Sequence, residues 1–304
     1  MSLGVRELER GERNVEVSLR SPFNASRRRS RLAYCAGFEQ DIRQRNKTRD
    51  ATVRHRSEQG DDADLIRQEC GKNFTNNDNL QANINNTIFD LVTETSAYGF
   101  ANSSHGSGSD TVYGIADCRG DVGDQICSAC IANAAKQIQT TCWNSAEARI
   151  WYPYCFLRYN TSNFIGQADM NVVGWWFSSE NMMNPKVFKS TLTELSAALW
   201  YTAADAENRK FGWGQIENHN LKNSNDETII IYGMAQCTWD LDGLTCIKCL
   251  TNAFFIAESE CGEAATGCYV ITKSCDVRYE INPFLFLNAT TPLERTRSII
   301  FGDI

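Results

Sequence analysis

The chain has 304 residues, 42% of them hydrophobic and 22% charged, which is typical of a globular protein with room for two ordinary domains. The net charge of −7 is uneven, because residues 65–304 hold 16 Lys and Arg against 26 Asp and Glu, a balance of 16 − 26 = −10. An acidic surface repels phosphate backbones, so the composition argues against nucleic acid as a partner.

Residues 1–64 are predicted to be a disordered, basic N-terminal segment. They hold 14 Lys and Arg against 11 Asp and Glu and show no apolar periodicity. The chain does not begin with the apolar stretch of a signal peptide, and no run of eighteen apolar residues predicts a transmembrane helix. Our hypothesis is that residues 1–64 replace a signal peptide through an unusual gene structure or splice form.

The first module is predicted to span residues 65–165. Apolar residues at steps of four and three from Leu80 to Leu91 predict a helix, with Asp78 as its N-cap. The Ser- and Gly-rich run Ser103–Ser109 is predicted to be a flexible loop. The remaining predicted elements are a strand over residues 111–115, a helix over residues 125–141, and a strand or hairpin arm over residues 148–160.

A linker over residues 166–184 is predicted to join the two modules. It carries Trp175, Trp176 and Phe177, which we expect to pack between the modules; if exposed, they would form a binding patch.

The second module is predicted to span residues 185–290, ahead of a tail over residues 291–304. Asn184 and Pro185 form a good helix cap and first turn, and an apolar stripe from Phe188 to Leu199 continues the helix. A long loop is predicted over residues 204–227. Further predicted elements are strands over residues 228–234, 269–271 and 277–287 and a helix over residues 244–258.

The predicted order of elements in each module is therefore helix, strand, helix, strand, strand. Helices packed on one face of an antiparallel sheet make an α+β fold, so the sequence predicts two tandem α+β modules.

The cysteines repeat one spacing, which explains the two modules as a tandem duplication. Intervals of eight, two and eleven residues separate four cysteines in each module, 119 residues apart, and a fifth follows after twelve residues in the first module and thirteen in the second. The two sets are Cys118, Cys127, Cys130, Cys142, Cys155 and Cys237, Cys246, Cys249, Cys261, Cys275.

Twelve of the thirteen cysteines, all except Cys35, form an even set that fits six disulfides. The Cys-x-x-Cys pairs lie too far apart for a zinc site, only three histidines are present, and a redox centre needs no companion cysteines. The cysteines are therefore interpreted as a structural disulfide framework, and we predict no metal and no cofactor. Because Cys127 and Cys130 share a helix face, they can join that helix to two different strands. Spacing alone leaves the connectivity open.

Disulfides on this scale favour an extracellular, secreted protein. Glycosylation acceptors agree with this localisation. The Asn-x-Ser/Thr motifs begin at Asn24, Asn46, Asn73, Asn85, Asn102, Asn160 and Asn288.

The cysteine frame and its flanks resemble a known plant family. Tyr-Gly-Ile-Ala-Asp-Cys at residues 113–118 and Ser-Cys-Asp-Val-Arg-Tyr-Glu at residues 274–280 look like the ginkbilobin-homologous, or salt-stress-response/antifungal, domain. This domain occurs in tandem in cysteine-rich receptor-like kinases and cysteine-rich repeat secretory proteins. The resemblance implies a small antiparallel sheet packed with two helices in each module. It also implies the disulfides Cys70–Cys142, Cys118–Cys127, Cys130–Cys155, Cys237–Cys246 and Cys249–Cys275, which leaves Cys268 as the partner of Cys261.

The resemblance also implies candidate binding residues. Ginkbilobin binds mannose through an Asn after the first cysteine, an Arg six residues before the last and a Glu five residues after it. Gly71, Arg149 and Asn160 hold those positions in the first module, and Tyr269 and Glu280 hold the last two in the second. Neither module keeps the full set of three residues. Among the matched positions, Arg149, Asn160 and Glu280 are the candidate binding residues. A carboxylate and a guanidinium can bracket sugar hydroxyls.

The sequence is compatible with three functions. The first is a non-enzymatic extracellular recognition module of plant stress or defence, which binds a glycan or a cell-surface protein ectodomain. The second is the ectodomain product of a cysteine-rich receptor-like kinase gene, located at the plasma membrane; the chain lacks a kinase glycine-rich loop and the His-Arg-Asp and Asp-Phe-Gly motifs. The third is a thiol oxidoreductase. The sequence assigns no oligomeric state.

Overall fold

The computed structural model describes residues 65–286 and the backbone of residues 299–301. The predictions for residues 1–64, for Cys35 and for Asn288 lie outside these residues, as does most of the predicted C-terminal tail.

Each module contributes two helices and one sheet. The helices are α1 (Asp78–Tyr98), α2 (Asp124–Thr141), α3 (Pro185–Ala204) and α4 (Gly243–Glu260). The strands of the first sheet are β1 (Arg67–Cys70), β2 (Phe100–His105), β3 (Val112–Cys118), β4 (Glu147–Trp151) and β5 (Cys155–Asn160). Those of the second are β6 (Val172–Phe177), β7 (Phe211–Lys222), β8 (Thr228–Cys237), β9 (Gly267–Thr272), β10 (Cys275–Glu280) and β11 (Ile299–Phe301).

The two sheets have the same topology. The first runs β1-β4-β5-β3-β2 and the second runs β6-β9-β10-β8-β7, with β11 added beyond β7. All pairings are antiparallel except that of β11 with β7, which is parallel. The predicted α+β architecture of two tandem modules is therefore confirmed, with an additional parallel edge strand.

Helix α1 begins one residue earlier than its sequence suggests. The side chain of Asn77, not Asp78, accepts a hydrogen bond from the Leu80 amide at 3.0 Å, so the predicted cap was wrong. The helix ends at Gly99, whose φ of 82° lies in the left-handed region and whose N–H donates to the Thr95 carbonyl.

Replacing Asn77 by Ala is expected to lower the free energy of unfolding by about 1 kcal/mol, because an N-cap acceptor is lost. Asp78→Ala should cost less, about 0.3–0.5 kcal/mol in salt, the lower end of the range for an exposed charge near a helix N-terminus. Urea unfolding of both variants measures the difference. Equal losses would return the capping role to Asp78.

Three stretches differ from their predicted structure. Residues 103–105 of the predicted loop belong to β2, and half of the predicted loop over residues 204–227 is β7. Only Phe211, Gly212, Gly214, Ile216 and Leu221 of β7 are buried, so its polar residues hid the strand. Strand β10 ends at Glu280, short of its predicted limit. By contrast, Asn184 caps α3 as expected, with Pro185 in the first turn.

The segment assigned to the linker supplies β6, the counterpart of β1 in the second sheet. Its aromatic residues divide between three environments. Trp175 packs against the core of the second module, Trp176 joins an apolar cluster at the boundary between the modules, and Phe177 is exposed.

Six disulfides hold the modules: five are the pairs that the resemblance implied, and Cys261–Cys268 is the pair that we inferred from the cysteines left over. They are Cys70–Cys142, Cys118–Cys127, Cys130–Cys155, Cys237–Cys246, Cys249–Cys275 and Cys261–Cys268. Neighbouring turns of α2 are thus joined to the end of β3 and to the start of β5, as Cys127 and Cys130 predicted. Helix α4 repeats this arrangement with β8 and β10.

One bridge differs between the modules. Cys142 pairs with Cys70 on the outer strand β1, and Cys70 lies opposite Ala148 of β4. In the second module, Phe177 lies opposite Cys268 in the equivalent pairing, so the cysteine is on the neighbouring strand and still reaches Cys261. The second module therefore keeps its bridge without a counterpart of Cys70.

Candidate binding site at the boundary between the modules

Arg149, one of the predicted binding residues, is engaged in holding the chain together. Its Nη1 donates to Asp169 Oδ2 at 2.7 Å, and the Asp169 amide donates to Ser274 Oγ of the second module. Although burial raises the pKa of Asp169, hydrogen bonds from Arg149 and Asn171 outweigh it and leave the pKa below its ordinary value. Arg149 thus has a structural ion-pair partner.

Asn160 and Glu280 also have partners within their own modules. Asn160 donates to Glu147 Oε2 at 2.6 Å and accepts from the Ser162 amide. Glu280 Oε1 accepts two hydrogen bonds from the Arg278 guanidinium, at 3.0 and 3.1 Å. Asn160 of β5 pairs with Glu147 of β4, two residues before Arg149, so Arg149 and Asn160 lie near each other in the first sheet. Glu280 lies in the second sheet. A role for these three residues in binding remains a prediction.

Four predicted glycosylation acceptors within module one are described. Asn73, Asn85 and Asn102 are exposed, and Asn160 is half-buried. Glycosylation at these positions stays a prediction.

The outer faces of the sheets, opposite their helices, meet in an apolar cluster. Its buried members are Ile115, Trp151, Phe156, Phe164, Val173 and Ile271. At one margin of this boundary, Lys273 Nζ lies 2.8 Å from Glu69 Oε2. The two modules therefore pack against each other through an apolar cluster that is separate from the core of each module.

An Arg–Phe contact that occurs in both modules was not predicted from the sequence. The Arg158 guanidinium lies over the Phe164 ring at 3.6 Å, and Arg278 lies over Phe284 at 4.4 Å. Both pairs are six residues apart and are separated by 120 residues, so alignment of the two copies would have revealed them. Burial and the nearby charge of Arg149 lower the pKa of Arg158 to about 10.

A buried ion pair ties the end of the second module to the first. Arg119 donates from Nε and Nη2 to the two carboxylate oxygens of Asp121, at 2.6 and 2.9 Å. Asp121 Oδ2 also accepts from the Phe286 amide, and the Phe286 ring packs against Tyr154 and the Arg119 guanidinium. The segment after β10 therefore crosses onto the first module.

Two turns of the modules exchange hydrogen bonds at the boundary. Gln236 of the second module accepts from the Gly120 amide at 3.1 Å and donates to the Cys118 carbonyl at 3.0 Å. Asp117 of the first module accepts from the Trp239 amide at 3.3 Å. The Trp239 ring stacks on Phe100, with centroids 3.6 Å apart.

Two carboxyl groups at this boundary have raised pKa values. Burial, and then the charge of Asp240, raise the pKa of Asp117 well above its ordinary value. Burial raises the pKa of Asp276 to about 7, against the opposing charge of Arg119 and a hydrogen bond from Tyr269. Perturbed carboxyl groups beside a cavity are a recognised mark of functional sites.

A cleft of about 280 Å³ opens beside Asp117 and is the candidate site. Residues of both modules line it, including Tyr98, Phe100, Asp124, Arg209 and Trp239. Arg209 Nη1 reaches across to the Tyr98 carbonyl at 3.3 Å, and Tyr98 is largely exposed. The cleft thus offers aromatic rings, the Arg209 guanidinium and the Asp124 carboxylate, groups that suit a hydroxyl-rich ligand or a polar peptide loop.

The described part of the chain contains no helix long and apolar enough to cross a bilayer. Within the same ranges, no three His, Cys, Asp or Glu side chains are grouped to hold a metal ion.

Comparison with known proteins places both modules in one family. The sequence profile of the salt stress response/antifungal family matches residues 67–162 and 177–282. Cysteine-rich repeat secretory protein 55 of Arabidopsis thaliana is 35% identical over 74% of this chain and 84% of its own length. An antimicrobial ginkbilobin-2-like protein of Castanea crenata is 33% identical over 70% of this chain and 85% of its own length.

Receptor proteins are similar too. Cysteine-rich receptor-like protein kinase 27 of Arabidopsis thaliana is 33% identical over 73% of this chain, which covers only 33% of that kinase. The tandem DUF26 ectodomain of the Arabidopsis thaliana cysteine-rich receptor-like protein PDLP8 superposes with a TM-score of 0.60 at 25% identity, covering 72% of this chain and 98% of that one.

Proposed function

This chain belongs to the salt stress response/antifungal family, and from that premise we propose that it is a non-enzymatic, extracellular recognition protein of plant stress or defence. It binds a glycan or the ectodomain of a partner protein, and the cleft between its modules is the binding site. The observation that carries the proposal is a cleft of about 280 Å³ with aromatic, cationic and anionic groups drawn from both modules.

Several features support this function. Relatives covered over most of their length are named as secretory or antimicrobial proteins. The twelve cysteines within the described residues are all paired, which leaves none of them as a thiol for redox chemistry. Disulfides of this number suit an oxidising, extracellular location.

The experiment measures binding of the disulfide-bonded chain to an array of plant and fungal cell-wall glycans, followed by titration calorimetry with each hit. Arg209→Gln is expected to weaken binding at least about tenfold, since a lost charged hydrogen bond is worth roughly 1.4 kcal/mol or more. Lys186→Gln is the matched control, because Lys186 is exposed, lies outside the cleft and makes the same change of charge.

The array and the control separate the outcomes. If no glycan binds, the same two variants are tested against purified receptor ectodomains. Loss of binding in Arg209→Gln alone supports the cleft with a protein partner. Equal binding by wild type and Arg209→Gln removes the cleft from the proposal, and absence of binding in both screens contradicts the recognition function.

A second candidate is the ectodomain of a cysteine-rich receptor-like kinase at the plasma membrane. The similarity to cysteine-rich receptor-like protein kinases 27 and 25 favours it, because this chain covers about a third of each. Sequencing the transcript and genomic region around this reading frame tests it: a continuous frame into a membrane span and kinase domain supports the receptor, and an in-frame stop after Ile304 supports the secreted protein.

A further inference from the structure

The duplication places equivalent side chains opposite each other at the boundary. Asp117 and Gln236 each precede the first cysteine of the repeated frame and are 119 residues apart. Gly120 and Trp239 follow those cysteines by two residues and are equivalent in the same way. The backbone agrees, because the Arg119 amide donates to the Tyr154 carbonyl and its counterpart, the Thr238 amide, donates to the Ser274 carbonyl.

Each of the two side chains accepts a hydrogen bond from the opposite module. Gln236 Oε1 accepts from the Gly120 amide, and Asp117 Oδ1 accepts from the Trp239 amide. These two bonds are repeat-equivalent, so the modules exchange the same contact in both directions.

The second atom of each side chain breaks the equivalence. Gln236 Nε2 donates to the Cys118 carbonyl at 3.0 Å. The counterpart of that carbonyl is the carbonyl of Cys237, and the counterpart of Nε2 is Asp117 Oδ2. Asp117 Oδ2 is buried and has no hydrogen-bond partner among the described residues. An ionised carboxylate cannot donate, whereas a protonated carboxyl group can.

We propose that the Asp117 carboxyl group carries a proton in the closed protein and completes a reciprocal pair of hydrogen bonds, so that the boundary between the modules is a proton-linked latch that weakens when Asp117 ionises. The proposal requires no ligand in the cleft, although Asp117 and Gln236 line it.

The surroundings of Asp117 favour the neutral carboxyl group. Its cross-strand neighbours on β2 and β5 are Phe100 and Phe156, which carry no charge. Asp240 faces it from the second module; its Oδ2 accepts from the Gly166 amide, and its buried Oδ1 also has no partner among the described residues.

Other charged groups lie at the cavities that Asp117 borders. They are Arg119, Asp124, Arg209, Lys273 and Asp276, together with four tyrosines. Arg119 and Lys273 are already paired, with Asp121 and Glu69. Burial and Asp240 accordingly raise the pKa of Asp117.

The sign of the pH dependence follows from the raised pKa. A folded-state pKa above the unfolded value means that the folded protein binds the proton more tightly. The stabilisation is therefore complete below the ordinary Asp pKa and is lost as the pH rises through the folded pKa of Asp117. Across that window, each pH unit should increase the unfolding equilibrium constant up to tenfold for this proton.

The test compares the full disulfide-bonded wild type with Asp117→Asn between pH 4 and pH 8 by calorimetric unfolding. The Asn amide does not titrate and can donate a hydrogen bond at every pH, as Gln236 does. The variant should therefore lose the pH dependence that arises from one proton, and it should be more stable than the wild type near pH 8. Asp276 has a pKa near 7 and contributes in both proteins, so the difference between the two curves isolates Asp117. Asp226→Asn, at an exposed carboxylate, is the matched control and should leave the slope unchanged.

Gln236→Glu supplies a second, independent test, because it places a carboxyl group at the position in the second module that is equivalent to Asp117. It should steepen the pH dependence and be destabilised most at high pH. If Asp117→Asn does not fold, Asp276→Asn decides: Asp276 has a pKa of about 7 and is itself mostly protonated at pH 6, so infrared difference spectra are recorded without it and should still show a buried protonated carboxyl group at that pH. An unchanged slope in Asp117→Asn, or the absence of that protonated carboxyl signal, overturns the latch.

Discussion

Removing the disulfide between Cys130 and Cys155, by replacing both residues with Ala, is expected to destabilise the chain by about 3 kcal/mol. The bond closes a stretch with a sequence separation of 25 residues and joins the middle of α2 to the start of β5. Its loss frees the unfolded chain and removes a fixed contact between helix and sheet. Both cysteines are buried, so Ala avoids placing a new hydroxyl group in the core.

The matched control is the Cys261–Cys268 pair, also replaced with Ala. Its separation is only 7 residues, so the chain-entropy argument gives a smaller loss of about 2 kcal/mol. Guanidinium unfolding with the remaining disulfides intact measures both. A larger loss for the shorter loop would show that packing around the sulfurs, not loop closure, sets the contribution.

Gly120→Ala is expected to destabilise the closed arrangement of the modules by about 1–3 kcal/mol, because it overpacks their boundary. A Cβ at Gly120 would overlap the ring of Phe211, which is almost fully buried. The amide of the same glycine donates to Gln236, so the displacement also strains the hydrogen bonds between the modules. Urea unfolding gives the stability, and small-angle scattering should detect a larger radius of gyration.

A double-mutant cycle with Phe211→Ala identifies the cause. Phe211→Ala alone should cost about 3–5 kcal/mol as a large-to-small change in a core. If the clash with the ring is responsible, the double variant loses less than the sum of the single variants. Strict additivity would mean that Gly120 is required for another reason.

The candidate site was only partly accessible from the sequence. Matching the family's positions selected Arg149, Asn160 and Glu280, and each of them has an ion pair or hydrogen bond inside the protein. The boundary residues Asp117 and Gln236 were overlooked, although both stand beside the first cysteine of their repeat. A comparison of the two copies shows the positions, but no comparison shows that they face each other.

The duplication, the four helices and the disulfide framework could all be predicted from the amino-acid sequence. Apolar stripes such as that from Leu80 to Leu91 signal helices because each turn repeats the same buried face. Asn184 and Pro185 mark a helix start because capping depends only on residues within one turn. Repeated spacing indicates a framework because two of the three bridges join equivalent cysteines in each copy.

The tertiary structure alone decided which distant surfaces meet. Strand β7 is recognisable only through its ladder with β8, because its Gly and Asn residues resemble a loop in isolation. The place of Cys268 depends on which strand lies beside β6, and the boundary depends on two outer faces packing together. Residues far apart in sequence leave no local pattern, since the free energy of their contact arises only when packing brings them together.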